Sequence, residues 1–307
     1  MKKEIEYSIV IPVFNSYDSL DELTNRVKKV MGETGKPFEV ILIDDGSSDK
    51  SWKKMEEINK QDNRFKLIQL FRNFGQHNAT LCGLSHCSGK HVVTLDCDLE
   101  HYPEDIPKLL EHKQHDIVIA QFPHKQHSLF KKITSRLKDF FIQKLVNAPR
   151  GVQITSFRLF KREVAENMAK IATPYPYLPA LMFFISKDVK GVTLQHGVRK
   201  YGSSSYSLRR MINLFSNLMI NNSSYLLNIL GKFGMFCATF GLILAIYLVH
   251  RKLVGNLVVP GWTSLAVLLL FFTGVMLISQ SIIGEYLLRI INNTEGKPGY
   301  IERRIIE

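Results

Sequence analysis

Two runs without a charged residue, Phe233–Val249 and Trp262–Ile283, constrain this chain more than any other feature. They are 17 and 22 residues long. At about 1.5 Å per helical residue, the second covers about 33 Å and suffices for a hydrocarbon core of roughly 30 Å. The first covers about 26 Å on the same rise and needs the preceding Leu226–Leu230 turn, with Lys232 snorkelling or paired. A buried helix of a soluble domain is the alternative for the shorter run. The pairing of the two favours a helical hairpin closed by a short link, 250–261, which contains Pro260 and two glycines. Arg209, Arg210 and Lys232 before the hairpin, with Arg289, Lys297, Arg303 and Arg304 after it, outweigh Arg251 and Lys252 in the link. The positive-inside bias therefore places both termini in the cytoplasm and the link outside.

The remaining sequence has a different character. Residues 1–210 hold 33 Lys and Arg against 24 Asp and Glu, whereas 211–307 hold only 7 and 4. Between the two parts, 211–230 alternates apolar residues with Asn and Ser. It reads as interfacial helices joining the domain to its anchor, or as a core helix. Four cysteines (Cys82, Cys87, Cys97, Cys237) make no C-x-x-C pair and no His/Cys cluster at zinc spacing. That excludes a zinc ribbon or a secreted disulfide framework and fits a reducing, cytoplasmic setting. The opening MKKEIEYSIVIPVFN runs at once into a strand pattern and is too polar for a signal peptide.

Strand-like runs alternate with helical ones: Tyr7–Val13 then Leu20–Met31; Phe38–Ile43 then Ser51–Asn59; Phe65–Phe71 then Ala79–Cys87; Val92–Leu95 then Pro103–Leu110; and Asp116–Ala120. This predicts an α/β domain over 1–207 with a mostly parallel sheet, whose ligands bind beyond the carboxyl ends of the strands. Four polar segments stand at those ends: Pro12-Val13-Phe14-Asn15, Asp44-Asp45-Gly46-Ser47-Ser48-Asp49, Arg72-Asn73-Phe74-Gly75-Gln76-His77, and Asp96-Cys97-Asp98-Leu99-Glu100. Neither G-x-G-x-x-G nor G-x-x-x-x-G-K-[ST] is present, so no Rossmann dinucleotide site or P-loop is indicated. Carboxylates without Cys or His ligands favour a hard cation, Mg²⁺ or Mn²⁺. Asp96, Asp98 and Glu100 are spaced by two, as residues on one side of an extended segment are. His77, His86 and His91 read as surface or capping residues. Between Pro123 and Arg162 stand ten Lys and Arg and one acid, Asp139. Such a stretch beside an anchor suits anionic headgroups or a lipid phosphate; a solvated basic face is the alternative, and no nucleic-acid motif accompanies it.

IPVFN, DDGSSD, RNFGQH, D-x-D-L-E followed by PEDIP, FRL, R-x-x-G-x-x-x-Y and GEYLLRI together resemble the family 2 glycosyltransferases of the GT-A fold. The subgroup is that of polyprenyl-phosphate glycosyltransferases with a C-terminal membrane hairpin. NFGQH, SLFKK and YSLRRMINL most resemble the undecaprenyl-phosphate 4-deoxy-4-formamido-L-arabinose transferases; dolichyl-phosphate mannose synthases and bactoprenol glucosyltransferases are more distant. The resemblance covers about Ser8 to Arg289. It implies an inverting transfer of a sugar from a nucleotide diphosphate donor, UDP-linked, to undecaprenyl phosphate for cell-envelope glycan or lipopolysaccharide modification. The enzyme would work at the cytoplasmic face of the bacterial inner membrane, as a homo-oligomer (a tetramer in relatives). The chain would divide into the catalytic domain 1–207, juxtamembrane helices 208–230, two spans within 231–284 and a cytoplasmic tail 285–307.

The resemblance also implies roles. Pro12, Val13, Asn15, Asp44, Asp45, Gly75 and Asp96 would hold the nucleotide. Asp98 and Glu100 would hold the cation, Glu100 standing where relatives usually have Gln. Lys131, Ser135 and Arg199 would grip the lipid phosphate, and Asp96, Asp98 and Arg199 would serve catalysis. Relatives often carry an Asp near FRL, but 151–157 reads GVQITSF without a carboxylate; many also carry Arg near Phe122 and Lys where Ser205 stands. A phosphate acceptor tolerates the missing carboxylate, because it needs no base to deprotonate it, whereas a hydroxyl acceptor does. The alternatives are a family 2 enzyme that extends a glycan on a hydroxyl, or an inactive membrane scaffold of the same fold.

Overall fold

Strand β1 (Tyr7–Val13) is buried at all seven positions, as a strand covered by helices on both faces must be. Its side chains alternate between two apolar layers: Ile9, Ile11 and Val13 join one, with Leu20, Leu23 and Val27, and Val10 joins the other, with Cys82, Met168 and Phe183. The computed structural model describes residues 4–122, 151–171, 173, 176–194, 261–294 and 296–307, with scattered positions in 146–149 and 231–254.

The further strands are β2 (Phe38–Asp44), β3 (Phe65–Leu70), β4 (His91–Thr94), β5 (Ile117–Gln121), β6 (Arg158–Lys161), β7 (Val189–Thr193) and β8 (Glu302–Ile306). They form one sheet in the order β7-β5-β6-β4-β1-β2-β3-β8. Pairing is parallel except where β6 runs against β4 and β5, and β8 against β3. Helices α1 (Tyr17–Glu33), α2 (Ser51–Gln61) and α3 (Gln76–Ser85) follow the first three strands. A 3-10 turn, Pro103–Asp105, leads into α4 (Ile106–Leu110), and α5 (Arg162–Lys170) and α6 (Leu178–Ile185) complete this part. In α1, Leu20, Leu23, Val27, Val30 and Met31 fall on one buried face, at the spacing that an amphipathic helix requires.

The chain divides into two units, 1–207 with 296–307, and 208–295. The five predicted strands and four predicted helical regions are all present, with ends displaced by up to three residues. The C-terminal segment departs from the expected tail. Helix α7 (Trp262–Thr294) runs eleven residues past Ile283, so the boundary expected at 284 lies inside a helix. Beyond it, β8 returns to the main sheet and covers the edge of β3, with Leu67 opposite Ile306 and Gln69 opposite Arg304. Among the described residues no helix is long and apolar enough to cross a membrane. The interfacial segment 208–230 and the first part of the basic stretch 123–162, with Lys131, Ser135 and Arg199, lie outside the described residues. The end of that stretch does not form a basic face: Arg158 is buried on β6, Lys161 pairs with Asp116 and Arg162 with Glu166.

Candidate active site

Strand order reverses at β1: β2 lies on one side and β4 on the other. In an open α/β sheet, the crevice at the carboxyl ends of such strands is where ligands bind. The four polar segments meet there. Asn15 adopts a left-handed backbone (φ 49°) two residues after β1. Its main-chain N–H donates to Ser47 Oγ at 3.0 Å, and its side-chain oxygen accepts from the Ser48 N–H at 2.9 Å. The first loop is thus latched to the DDGSS loop.

That second loop shapes itself and the third. Buried Asp44 accepts from the Ser47 N–H at 3.0 Å and from Gln69 Nε2 at 3.3 Å. Asp45 accepts the main-chain N–H groups of Phe74 (2.7 Å) and Gly75 (3.0 Å), one on each oxygen. Burial pushes the Asp45 carboxyl up to about 6, against the pull of those two N–H donors. Gly46 sits at φ 68°, and a Cβ there would lie 2.5 Å from the Arg72 carbonyl carbon. Only glycine permits both this turn and this approach. Both carboxylates of the pair therefore hold loop backbone in place.

Asp96 stands at the end of β4 with both oxygens occupied: Gln76 Nε2 donates to one at 2.5 Å and Ser156 Oγ donates to the other. Burial raises its carboxyl to about 6, and neighbouring Asp98 adds to the rise. A small cleft beneath it is lined by Pro12, Gln76, His77, Thr94, Ser156 and Arg158, among others. Arg158 is buried on β6, donates its Nε–H to the Thr155 carbonyl, and is lowered to about 10 by desolvation. The same burial, with the Arg158 charge, lowers His77 to about 4, so its imidazole is neutral near pH 7. His77 packs edge-on against Tyr177 at 5.1 Å and forms part of the cleft wall, contrary to the expected surface role.

The Asp96–Glu100 segment is not extended. Leu99 is left-handed (φ 61°) and buried, which turns the chain between Asp98 and Glu100. The Glu100 N–H closes the turn on Asp98 Oδ1 at 3.1 Å. Asp98 and Glu100, both partly exposed beside this turn, offer a donor set of carboxylate oxygens, the chemistry that a hard divalent cation takes. The intervening Cys97 thiol pairs with Ser16 Oγ at 2.9 Å and leaves that set to oxygen.

Of the expected residues, Pro12, Val13, Asn15, Asp44, Asp45, Gly75, Asp96, Asp98 and Glu100 are gathered at this edge. Gln76, Ser156 and Arg158 are not assigned site roles by the sequence, which reads His77 as a surface or capping residue. The usable signal for Arg158 was a lone charge inside the apolar FRLF run. Residues 8–168 match the family model described as glycosyl transferase family 2. The chain belongs to that family. It is a glycosyltransferase of the GT-A type of mixed α/β fold. It is 32% identical to an undecaprenyl-phosphate 4-deoxy-4-formamido-L-arabinose transferase of Klebsiella pneumoniae (strain 342), over 97% of this chain and 93% of that protein. It is 33% identical to the protein of the same name from Salmonella newport (strain SL254), with the same coverage. Among solved structures it resembles glucosyl-3-phosphoglycerate synthase from Mycobacterium tuberculosis in complex with Mn²⁺, UDP and phosphoglyceric acid. There the TM-score is 0.52 at 15% identity, covering 70% of this chain and 76% of that one, and the likeness is one of fold.

Proposed function

We propose that this glycosyltransferase moves a sugar from a UDP-linked donor to undecaprenyl phosphate at the cytoplasmic face of a bacterial inner membrane. The observation that carries this reading is the state of Asp96: both its oxygens accept hydrogen bonds, from Gln76 and Ser156, and it stands beside the buried Arg158. The Asp96 carboxyl, raised to about 6, would be basic enough, but each of its oxygens is committed to a donor, and taking a proton from a hydroxyl acceptor would have to displace one of them. A phosphate monoester, with a second pKa of about 6, is already largely dianionic at neutral pH. Its oxygen forms the new bond to the anomeric carbon as the bond from that carbon to the nucleotide's terminal phosphate breaks, and no proton has to move. The configuration at that carbon inverts.

The nucleoside lies over the Asn15 turn and the DDGSS loop, held in shape by Asp44 and Asp45, with Asp96 nearest the ribose and diphosphate. Asp98 and Glu100 hold Mg²⁺ or Mn²⁺. When bound, that ion offsets the charge that builds on the departing diphosphate. Lys131 and Ser135, four positions apart in the basic stretch, and Arg199 hold the lipid phosphate. The uncharged runs 233–249 and 262–283 form the membrane hairpin. Exposed apolar side chains at several azimuths of α7, among them Leu265, Leu269, Leu277, Ile278 and Ile283, support a helix that faces lipid. The relatives' names make a 4-deoxy-4-formamido-L-arabinose donor the first to test.

Purified full-length protein is incubated with radiolabelled nucleotide sugars and undecaprenyl phosphate, and the organic phase is counted. Label enters it only when the lipid is present, and Lys131→Ala raises the apparent KM for the lipid while UDP affinity holds. Transfer to a hydroxyl acceptor at undiminished rate without the lipid would overturn the reading.

A further inference from the structure

Away from the strand ends, α3 and β8 bring together three side chains of metal-ligating type. Cys82 and His86, which the sequence does not single out as a zinc-spaced cluster, are four residues apart and so share a face of α3 at its C-terminal end. Glu302 opens β8, more than 200 positions later in the chain. His86 Nε2 lies 2.9 Å from Glu302 Oε1, and Cys82 Sγ lies 3.5 Å from the same oxygen. One ligand atom from each of the three falls within 4.8 Å of the others. Cys82 is buried, whereas the His86 and Glu302 side chains are 28% and 29% exposed, which leaves an entry path from solvent.

We propose that Cys82, His86 and Glu302 form a site for a zinc-class divalent ion, which when bound links the C-terminal strand to α3. The donor set decides the class. A thiolate, a neutral imidazole and a carboxylate are each ligand types that Zn²⁺ takes, and three protein ligands leave the fourth place to water, an open coordination. Thiolate and carboxylate together cancel a charge of two, so the loaded site is neutral beside the apolar layer that Cys82 belongs to. Without an ion, one Glu302 oxygen stands between a thiol and an imidazole. On loading, the thiol proton leaves to solvent and the carboxylate exchanges hydrogen bonds for a metal bond.

The surrounding chain is already held close enough to keep such a site in register. A Cβ on Gly299 would lie 2.5 Å from Asn78 Oδ1, so the segment entering β8 is pressed onto α3. Tyr300 Oη and Ser85 Oγ meet at 3.2 Å beside the cluster. This place is distinct from the Asp98 loop. Gln76, which touches Asp96, begins α3, and His86 lies ten residues further on, about 15 Å along the helix. The ion would act on the attachment of the segment that follows α7 in the chain, and not on the transferred sugar.

Cobalt(II) is a spectroscopic stand-in for zinc. It is titrated into the full-length, detergent-solubilised protein with Mg²⁺ in large excess, which keeps oxygen-only sites occupied and leaves a thiolate site open. One equivalent should bind with a sulfur-to-cobalt charge-transfer band in the near ultraviolet. The band should vanish in Cys82→Ser, persist in Asp98→Asn, and need at least about tenfold more cobalt in His86→Ala or Glu302→Gln. Added Zn²⁺ should abolish it by displacement. The wild-type protein alone can overturn the proposal, by binding no cobalt with a thiolate band. A band that survives Cys82→Ser in folded protein, or one that is lost in Asp98→Asn, overturns it equally.

Discussion

Asp45 holds Gly75 by its main-chain N–H at 3.0 Å, and the same carboxylate holds the N–H of Phe74 at 2.7 Å. The next residue, Gln76, donates to Asp96. A carboxylate after β2 thereby positions the residue that fixes a carboxylate after β4. The conformation of the RNFGQH loop, with Gly75 at φ 91°, is the link between them.

Replacing Asp45 tests that link. Asp45→Asn turns one acceptor oxygen into an NH₂ group facing an N–H donor, and a buried donor left unsatisfied costs about 1–3 kcal/mol. Donor KM should rise and thermal stability fall. The pH dependence has a definite sign. The folded carboxyl titrates near 6, above its ordinary value of 3.8, so the native state binds the proton more tightly. Stability contributed by this group is full below 3.8 and is lost as pH rises through about 6. The difference in stability between wild type and Asp45→Asn should therefore shrink from pH 4 to 6 and stay flat above. Denaturant melts at stepped pH measure it; a difference that grows over that interval contradicts the assignment.

Gly46→Ala should be costly for two separate reasons. A left-handed backbone costs a non-glycine residue roughly 1–2 kcal/mol, and the added Cβ meets the Arg72 carbonyl carbon at 2.5 Å. Backbone on the far side cannot rotate away, so the DDGSS and RNFGQH loops must separate. UDP affinity measured by calorimetry should fall at least about tenfold, the equivalent of 1.4 kcal/mol. Unchanged affinity would mean that the contact between the loops is irrelevant to the nucleotide.

The first four strands and their loops were legible because their signals are local: apolar runs of strand length, each followed by polar turn residues. Asp44, Asp96 and Asp98 could be read as site residues for the same reason. Ser156 could not, since it reaches Asp96 across 60 positions, from the segment that leads into the antiparallel β6. The spacing of Asp98 and Glu100 suggested an extended segment because buried Leu99 gives no sign of its left-handed backbone. Glu302 looked like part of a charged tail, and only the pairing of β8 with β3 brings it to Cys82 and His86. Local pattern identifies strands and loop chemistry; partners supplied by distant edge strands depend on topology.

Ser156→Ala should lower turnover more than donor binding. The hydroxyl donates to one Asp96 oxygen, and a hydrogen bond to a charged group is worth about 1.5–3 kcal/mol. Freed on that side, Asp96 loses its orientation at the cleft. A fall in kcat of roughly ten- to a hundredfold follows from that energy, and a double-mutant cycle with Gln76→Ala should show the two donors coupled through the shared carboxylate. Strict additivity would show that they act separately.

The cation assignment separates Asp98 from Asp96. Asp98→Asn should abolish turnover with a far smaller effect on melting, because the residue is partly exposed and an amide oxygen can still accept the Glu100 N–H. EDTA should reproduce the loss in wild type, and Mg²⁺ or Mn²⁺ should restore it. Activity that persists in EDTA after dialysis would remove the divalent ion from the reaction.

Deleting residues 302–307 tests whether the returning strand belongs to the catalytic sheet. β8 supplies four cross-strand pairs to β3, Ile306 packs against the core, and Arg304 Nη1 reaches Glu56 at 3.3 Å. At about 0.2–1 kcal/mol per cross-strand pair, the loss amounts to about 1–4 kcal/mol. For a domain of this size each kcal/mol lowers the thermal midpoint by about 2–4 °C. The edge of β3 would also be left open, with its N–H and C=O groups free to pair with a second chain, so concentration-dependent association should accompany the lower midpoint. The two effects are separable by light scattering and calorimetry on the same sample. A deletion that melts and scatters like wild type would show that β8 contributes nothing to the sheet it covers.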